Sequence, residues 1–350
     1  MSLPETTFQS KTSILKAWQE YPLDKLNQRV CRTILSVNKK ASRLAVLSEL
    51  GRYPVFLSAL VATISYEWHL RHRSPQDSLV RLALGEMESL AESGHDCWLA
   101  RVRSVCDLLQ VTHLHGQMSP DSVRGFLKKL LRSKFEIFWK DEVNDPKLGA
   151  DQKSHNKLRF YSQFKSYFHS ENYVLIVKNR NQRKWLTRLR ISAHHLATEK
   201  LRYCQPPIPA ELRVCKYCCG ESLNSPKSQD NEKHFLMECK IFEVKRACFL
   251  KRLECFVPNI FNLSTDDKIK TMLCPTSSQS AKLINKFIGI MFNARDTIDK
   301  CETLQTYPTW DPSMPNPFIE SNLDVSNNSD CPESDLSSLS RSSMSSESSG

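Results

Sequence analysis

Between Cys215 and Cys239 the chain reads CKYCCGESLNSPKSQDNEKHFLMEC, a stretch dense in thiols with a single histidine. Thiolate sulfur and imidazole nitrogen are the donors that zinc takes at tetrahedral corners, and a C-x2-C turn offers two of them from one knuckle. Cys215 and Cys218 fit that first half, and His234 and Cys239, with four residues between them, fit the second. The intervening loop is mostly hydrophilic, as expected of chain that leaves a metal and returns. An offset of five residues is about 140° around an α-helix, so His234 and Cys239 cannot share one face of a straight helix. His234 is therefore expected on a turn or short strand, and Cys239 at the start of a helix carrying Phe242, Phe249 and Leu253. Cys219 competes with Cys218 for the second position, and Cys204 or His195 could stand in from outside. Four protein ligands leave no open corner, so one structural Zn2+ is expected, which argues against metallohydrolase chemistry.

The elements that must hold these residues read as helices. Hydrophobic residues make up 40% of the 350, glycine occurs only 9 times, and apolar positions recur mostly at spacings of three and four. The 13 cysteines are odd in number and scattered, and MSLPETTFQSKTSILK lacks an apolar core behind a basic start. Reduced thiols, an intracellular (nuclear or cytoplasmic) location and no signal peptide are expected. The most apolar run, Val55 to Ile64, is too short to span a bilayer and predicts a buried helix, so no membrane partner is expected.

Leu26, Val30, Ile34 and Val37 predict one helical face, Leu44, Leu47 and Leu50 continue the pattern to a C-cap at Gly51, and Pro54 opens a helix through Trp68. Ser74-Pro75 and Ser119-Pro120 each look like an N-cap with proline at the first helical position, opening helices over Leu79–Leu90 and Val123–Trp139. Asp266-Asp267, in LSTDDKIK, reads as a helix N-cap with first-turn acids. The resulting organisation is mainly α: a helical region over 1–143, a polar linker over 144–156, a basic helical and zinc-knuckle domain over 157–300, and a disordered, acidic, serine-rich tail over 301–350.

The net charge of +11 is unevenly placed. From Lys153 to Arg202 there are twelve Lys/Arg against two Asp/Glu, and from Glu302 to Gly350 eight acids against one base. KLRFYSQFKSYF interleaves bases with rings, but Phe160, Phe164 and Phe168 at four-residue spacing read as a buried stripe with the lysines and arginines left exposed. In NRNQRKWLTRLRISAHHLATEKLRY, Trp185, Leu189, Ala193 and Leu196 line one side of an expected helix. Acids are nearly absent between Glu171 and Glu199, so the bases lack local partners. Lys178, Arg180, Arg183, Lys184, Arg188, Arg190 and Arg202 are the candidate contacts to phosphates of RNA or DNA through the basic 153–202 segment. No small-molecule substrate is expected.

Cys215-x2-Cys218 followed by EKHFLMEC resembles the cysteine–histidine motif near the C-terminus of LINE-type (non-LTR) retrotransposon reverse transcriptase polyproteins. NRNQRKWLTRLRISAHHLATEKLRY resembles the basic segment leading into it, VNKKASRLAVLSELGRYP the stretch after the polymerase core, and KFIGIMFNAR the helix after the knuckle. The resemblance spans about residues 14 to 300. It implies a region downstream of polymerisation that grips template RNA or target DNA, with Cys215, Cys218, His234 and Cys239 at the motif's ligand positions. The aromatic–x–Asp–Asp turn that would hold two Mg²⁺ in such a polymerase is missing, since Asp266-Asp267 lies downstream of the zinc motif, and no endonuclease cluster stands out. The expected function is a non-enzymatic, zinc-stabilised nucleic-acid-binding module derived from such an element. The alternatives are a protein-interaction scaffold or a non-functional transposon fragment.

Overall fold

Short polar caps decide where the first helices begin. In the computed structural model, which describes residues 10–111, 114, 116–144, 157–218 and 228–303, Ser10 opens α1 (Lys11–Ala17) with a reciprocal capping box to Ser13. Pro22 occupies the first turn of α2 (Pro22–Leu35), and Ser42 caps α3 (Arg43–Glu49). α4 (Val55–Arg73) starts after Pro54, which has no side chain to cap it. Its orphan N–H groups are satisfied from a distance: Asp24 accepts from Val55 N at 2.7 Å and Phe56 N at 2.9 Å. Burial pushes the Asp24 carboxyl above its ordinary range, against the pull of these two bonds.

The stripe expected on α2 is corrected. Asp24, Gln28, Cys31 and Leu35 are the buried positions, while Leu26 is 57% and Val30 45% exposed. The inward face is chosen by what Asp24 and Gln28 can bond, namely the α4 N-terminus and the Arg43 carbonyl, and not by counting apolar side chains. Gly51 does follow α3 in the left-handed region, φ +59°. A Cβ there would meet the Ser170 nitrogen at 2.5 Å, so glycine is needed both for the turn and for the close return of the chain.

α5 (Leu79–Glu92) and α6 (Trp98–Leu108) lie against α4, and α7 (Pro120–Asn144) packs along it. Ser119-Pro120 opens α7 as expected, with the Ser119 hydroxyl accepting from Ser122 N. Ser74-Pro75 does not open α5: Ser78 is the cap, accepting from Arg81 N, and Ser74 closes α4. Val123, Leu127, Leu131, Phe135 and Phe138 on α7 are buried against Phe56, Leu60, Ile64 and Trp68 of α4 within one core cluster.

Leu158, Tyr161, Phe168, Ile191 and Ala193 belong to that same cluster, so chain from both sides of 145–156 shares one core. Phe160 and Phe168 are buried and Phe164 half-buried, but around a 3-10 turn at Tyr161–Gln163, not on one helix. After α8 (Asn172–Ile176), α9 (Lys184–Arg190) ends before Ser192, whose φ is +50°. Trp185, Leu189, Ala193 and Leu196 therefore do not share a helix, which corrects that expectation. Among the described residues no strand forms, and the only bridges are Leu50 with Ser170 and Val214 with Gln229.

α10 (Ala197–Lys200) precedes the cysteine-rich segment, and α11 (Glu243–Glu254), α12 (Thr265–Leu273) and α13 (Ser278–Thr303) follow it. Ser264 caps α12 through Asp267 N, with Asp266 and Asp267 in the first turn as expected. Asn285 on α13 accepts from Trp185 N at 2.7 Å and so caps α9. Gly289, one turn on, leaves room for the Trp185 ring, which a Cβ would meet at 2.6 Å. The described residues up to Asn293 form one compact unit, and those from Ala294 belong to a second. No described helix is long and apolar enough to cross a membrane. The expected linker, apart from Asn144, and the expected tail, apart from Cys301–Thr303 at the end of α13, lie outside the described residues.

Candidate metal centre

Cys215 enters the centre from the Val214–Gln229 bridge, its N–H donating to Ser228 O at 2.9 Å. A tight turn through Lys216 and Tyr217 brings Cys218 back to the same side. Cys219 lies outside the described residues.

The second half of the set solves the five-residue offset in a way α-helical geometry did not anticipate. His234–Glu238 form a π-helical turn, and Cys239 N donates to His234 O at 2.8 Å. A wider turn closed by an i to i+5 bond places those two residues at its ends, on the same side. Cys239 then sits immediately before the 3-10 turn Lys240–Phe242 that runs into α11. Arg246 of α11 locks the turn from behind, donating to Leu236 O at 2.7 Å and Cys239 O at 2.8 Å. Asn231 Oδ1 accepts from His234 N at 2.8 Å.

These pieces bring the donor atoms of Cys215, Cys218, His234 and Cys239 within 4.8 Å of one another, a group that can hold a metal ion. Cys218 Sγ is 3.3 Å from Cys239 Sγ and 3.4 Å from His234 Nε2. A tetrahedral ion with metal–sulfur bonds of about 2.3 Å needs sulfur–sulfur edges of about 3.8 Å, so small side-chain adjustments admit it. Cys215 and Cys239 are fully buried, His234 nearly so, and Cys218 half-buried. Burial pushes the Cys218 thiol up. A cation reverses that preference, because metal ligation requires the thiolate. His234 Nδ1 faces Glu238 Oε2 at 3.6 Å, leaving Nε2 toward the sulfurs.

A buried polar lattice ties the centre to the rest of the fold. Asp230 accepts from Ala197 N at 2.8 Å and, through its carbonyl, from the Thr198 hydroxyl at 2.5 Å. Glu232 bonds Ser192 Oγ at 2.9 Å and His194 Nε2 at 3.0 Å, with Arg159 3.3 Å away. Burial opposes the Glu232 charge, but His194 and Arg159 hold its carboxyl down at about 2. On the other side Phe292 stacks on Phe235 at 4.5 Å and on Trp185 at 5.3 Å.

The basic candidates separate into three groups. Lys178 and Arg180 are exposed, and Lys184 is half-exposed over the Trp185 ring at 4.6 Å. Arg188 lies over the same ring at 5.2 Å and donates to Ser36 O, and Arg202 pairs with Glu199 at 3.1 Å. Arg183 and Arg190 are corrections, because neither can face phosphate. Arg183 is 4% exposed and donates to the carbonyls of Ile34, Val177 and Lys178. Arg190 is 0% exposed, pairs with Glu49 at 3.0 Å and Glu171 at 2.8 Å, and donates to the Leu273 carbonyl. Lys165, expected exposed, is likewise buried on Glu171.

Glu49 and Glu232 are the residues that sequence reasoning passed over. Glu49 closes α3 two residues after the apolar run LAVL, and a carboxylate buried beside such a run needs a cationic partner. Fold and cluster together define a mainly α-helical protein with a Cys3His group able to hold one metal ion. No known protein family, curated protein or solved structure matches the chain.

Proposed function

We propose that this chain is a zinc-stabilised nucleic-acid-binding module in which the metal holds structure and performs no chemistry. The carrying observation is the donor set: three thiols and one imidazole converge, largely buried, with their donor atoms within 4.8 Å of one another, the number and type of ligands that a tetrahedral zinc takes. Thiolate-rich tetrahedral sites select zinc over hard cations, and a filled sphere has no position for activated water. Bound there, zinc would tie the Cys215 turn to the π-helical turn and so fix the start of α11.

The binding surface is reduced from the full basic segment to its exposed members. Lys178, Arg180 and Lys184 have no carboxylate partner among the described residues, so their charge is available to phosphates. They flank the α9 start that Asn285 and Trp185 anchor to α13. The resemblance to the post-polymerase region of LINE-type reverse transcriptases supports the same reading, in which the chain retains the grip of such an element without its catalytic carboxylates.

The test is the zinc content of the purified chain with a salt series of nucleic-acid binding. One zinc per chain, lost in Cys239→Ala but kept when the exposed Cys248 becomes alanine, is the expected outcome. The triple variant Lys178→Gln, Arg180→Gln, Lys184→Gln is expected to bind RNA or DNA more weakly and with a shallower salt slope, by about 2 for a single strand. No zinc, or binding indifferent to salt, would overturn the proposal.

A further inference from the structure

We propose that the seam between α4 and α7 is a separate track for single-stranded nucleic acid. The inference rests on the nucleic-acid reading above and assigns it a second surface, distant in sequence from the basic segment. Two cavities, of about 580 and 330 Å³, follow one another along this seam. The first lies between Ala62–His69 of α4, Trp98 at the start of α6, and Pro120 and Arg124 of α7. The second lies between Val55–Val61 of α4, the Gly51–Pro54 turn, and Lys128 and Arg132 of α7. As positions ascend along α4 they descend along α7, so the helices run antiparallel and the cavities form one path.

The chemistry of the path is cations interleaved with rings. Arg124, Lys128 and Arg132 recur every four residues, so they stand in one exposed row with a rise of about 6 Å per step. Arg52 and His69 face the row from across the seam, and among the described residues neither cavity is lined by a carboxylate. Arg124 and Lys128 have no carboxylate partner among the described residues, and Arg132 lies over the Tyr53 ring at 4.7 Å. The nearest acids of α7 lie beyond the ends of this row: Asp121 in the first turn, and Glu136, which accepts from the Tyr53 hydroxyl.

Ring surface is available where bases would lie. Tyr66 is 56% exposed and meets the half-buried Trp98 edge-on at 6.0 Å, beside Arg124. Ser65, which lines the same cavity and is 7% exposed, has an Oγ with no hydrogen-bond partner. Evenly spaced cations hold a backbone, and open aromatic faces stack unpaired bases of any sequence. A duplex keeps its base faces covered and cannot use the rings. An acidic peptide, such as residues 302–350 of this chain with eight acids to one base, would use the cations alone.

The experiment measures fluorescence anisotropy of the zinc-loaded full-length chain with labelled oligothymidylate, the matching duplex and a synthetic 302–350 peptide across a salt series. Arg124→Gln, Lys128→Gln, Arg132→Gln together should weaken oligothymidylate binding about tenfold or more and lower the salt slope by about 2. Tyr66→Leu, at an exposed position, should weaken the single strand several-fold and leave the duplex unchanged. Circular dichroism of each variant establishes that it is folded. If the α7 triple variant binds as wild type while the Lys178, Arg180, Lys184 variant does not, the seam is not the track although the proposed function stands. If wild type binds none of the nucleic acids, both fall. If duplex binds the seam as tightly as single strand, or only the peptide responds to the α7 variant, the single-strand assignment is overturned.

Discussion

Arg190 is held at 0% exposure by Glu49 and Glu171, with Phe164 and Tyr173 against its guanidinium at 4.7 and 5.1 Å. Removing one member of such a group leaves the others charged and buried, so Arg190→Ala should cost about 3–5 kcal/mol in chemical denaturation. Glu171 contributes an acid-side dependence. Burial works to raise its carboxyl, but Arg190 and Lys165 outweigh burial and hold it below the ordinary range. A depressed carboxylate contributes stability that is present above the unfolded value of about 4.3 and is lost as pH falls through the folded value. The wild type should therefore lose stability more steeply below about pH 5 than Glu171→Gln, even though the variant is weaker at neutral pH. Equal acid slopes would contradict the assigned pairing. The sequence made the bases of 178–202 visible but not this commitment, because Glu49 lies 141 residues from Arg190 and a local charge count cannot reach it.

At the scale of elements, the four residues able to hold a metal were legible because C-x2-C and the later histidine–cysteine pair are local and chemically specific. The turn that joins His234 to Cys239 was not, since α-helical angles do not describe a π turn. That turn has a sharp consequence. Arg246→Ala removes the two bonds that hold this turn from behind and should weaken zinc affinity about tenfold or more, read by competition with a chelator, while α11 remains in the circular dichroism spectrum. Unchanged zinc affinity would show that the turn does not set the ligand geometry. Helix starts divide in the same way. Ser119-Pro120 announces α7 in its own letters, whereas α4 takes its cap from Asp24, thirty-one residues upstream of Val55. Asp24→Ala should lower stability by about 1–2 kcal/mol by leaving Val55 and Phe56 N–H groups unpaired. The exposed Leu26 and Val30 have the same origin, since α2 turns inward the face that carries the cap.

For the whole molecule, mainly helical architecture followed from composition and periodicity, because local propensity and burial agree along α3, α4 and α7. How the middle of the chain packs did not follow. Ile191 and Ala193 join the core of α1–α7, Arg183 and Arg188 bond the end of α2, and Glu232 and Asp230 fix the metal centre to the same body. Zinc loss should therefore act beyond its ligands: chelation should lower the unfolding temperature of the folded chain, with zinc but not magnesium restoring it. The most direct test of the central claim is the affinity of the zinc-loaded chain for a single-stranded oligonucleotide, measured as a function of salt. Unpaired lysines and arginines at Lys178, Arg180 and Lys184 predict a log–log slope of about −2 or steeper. A flat dependence, or no binding at low salt, would contradict it.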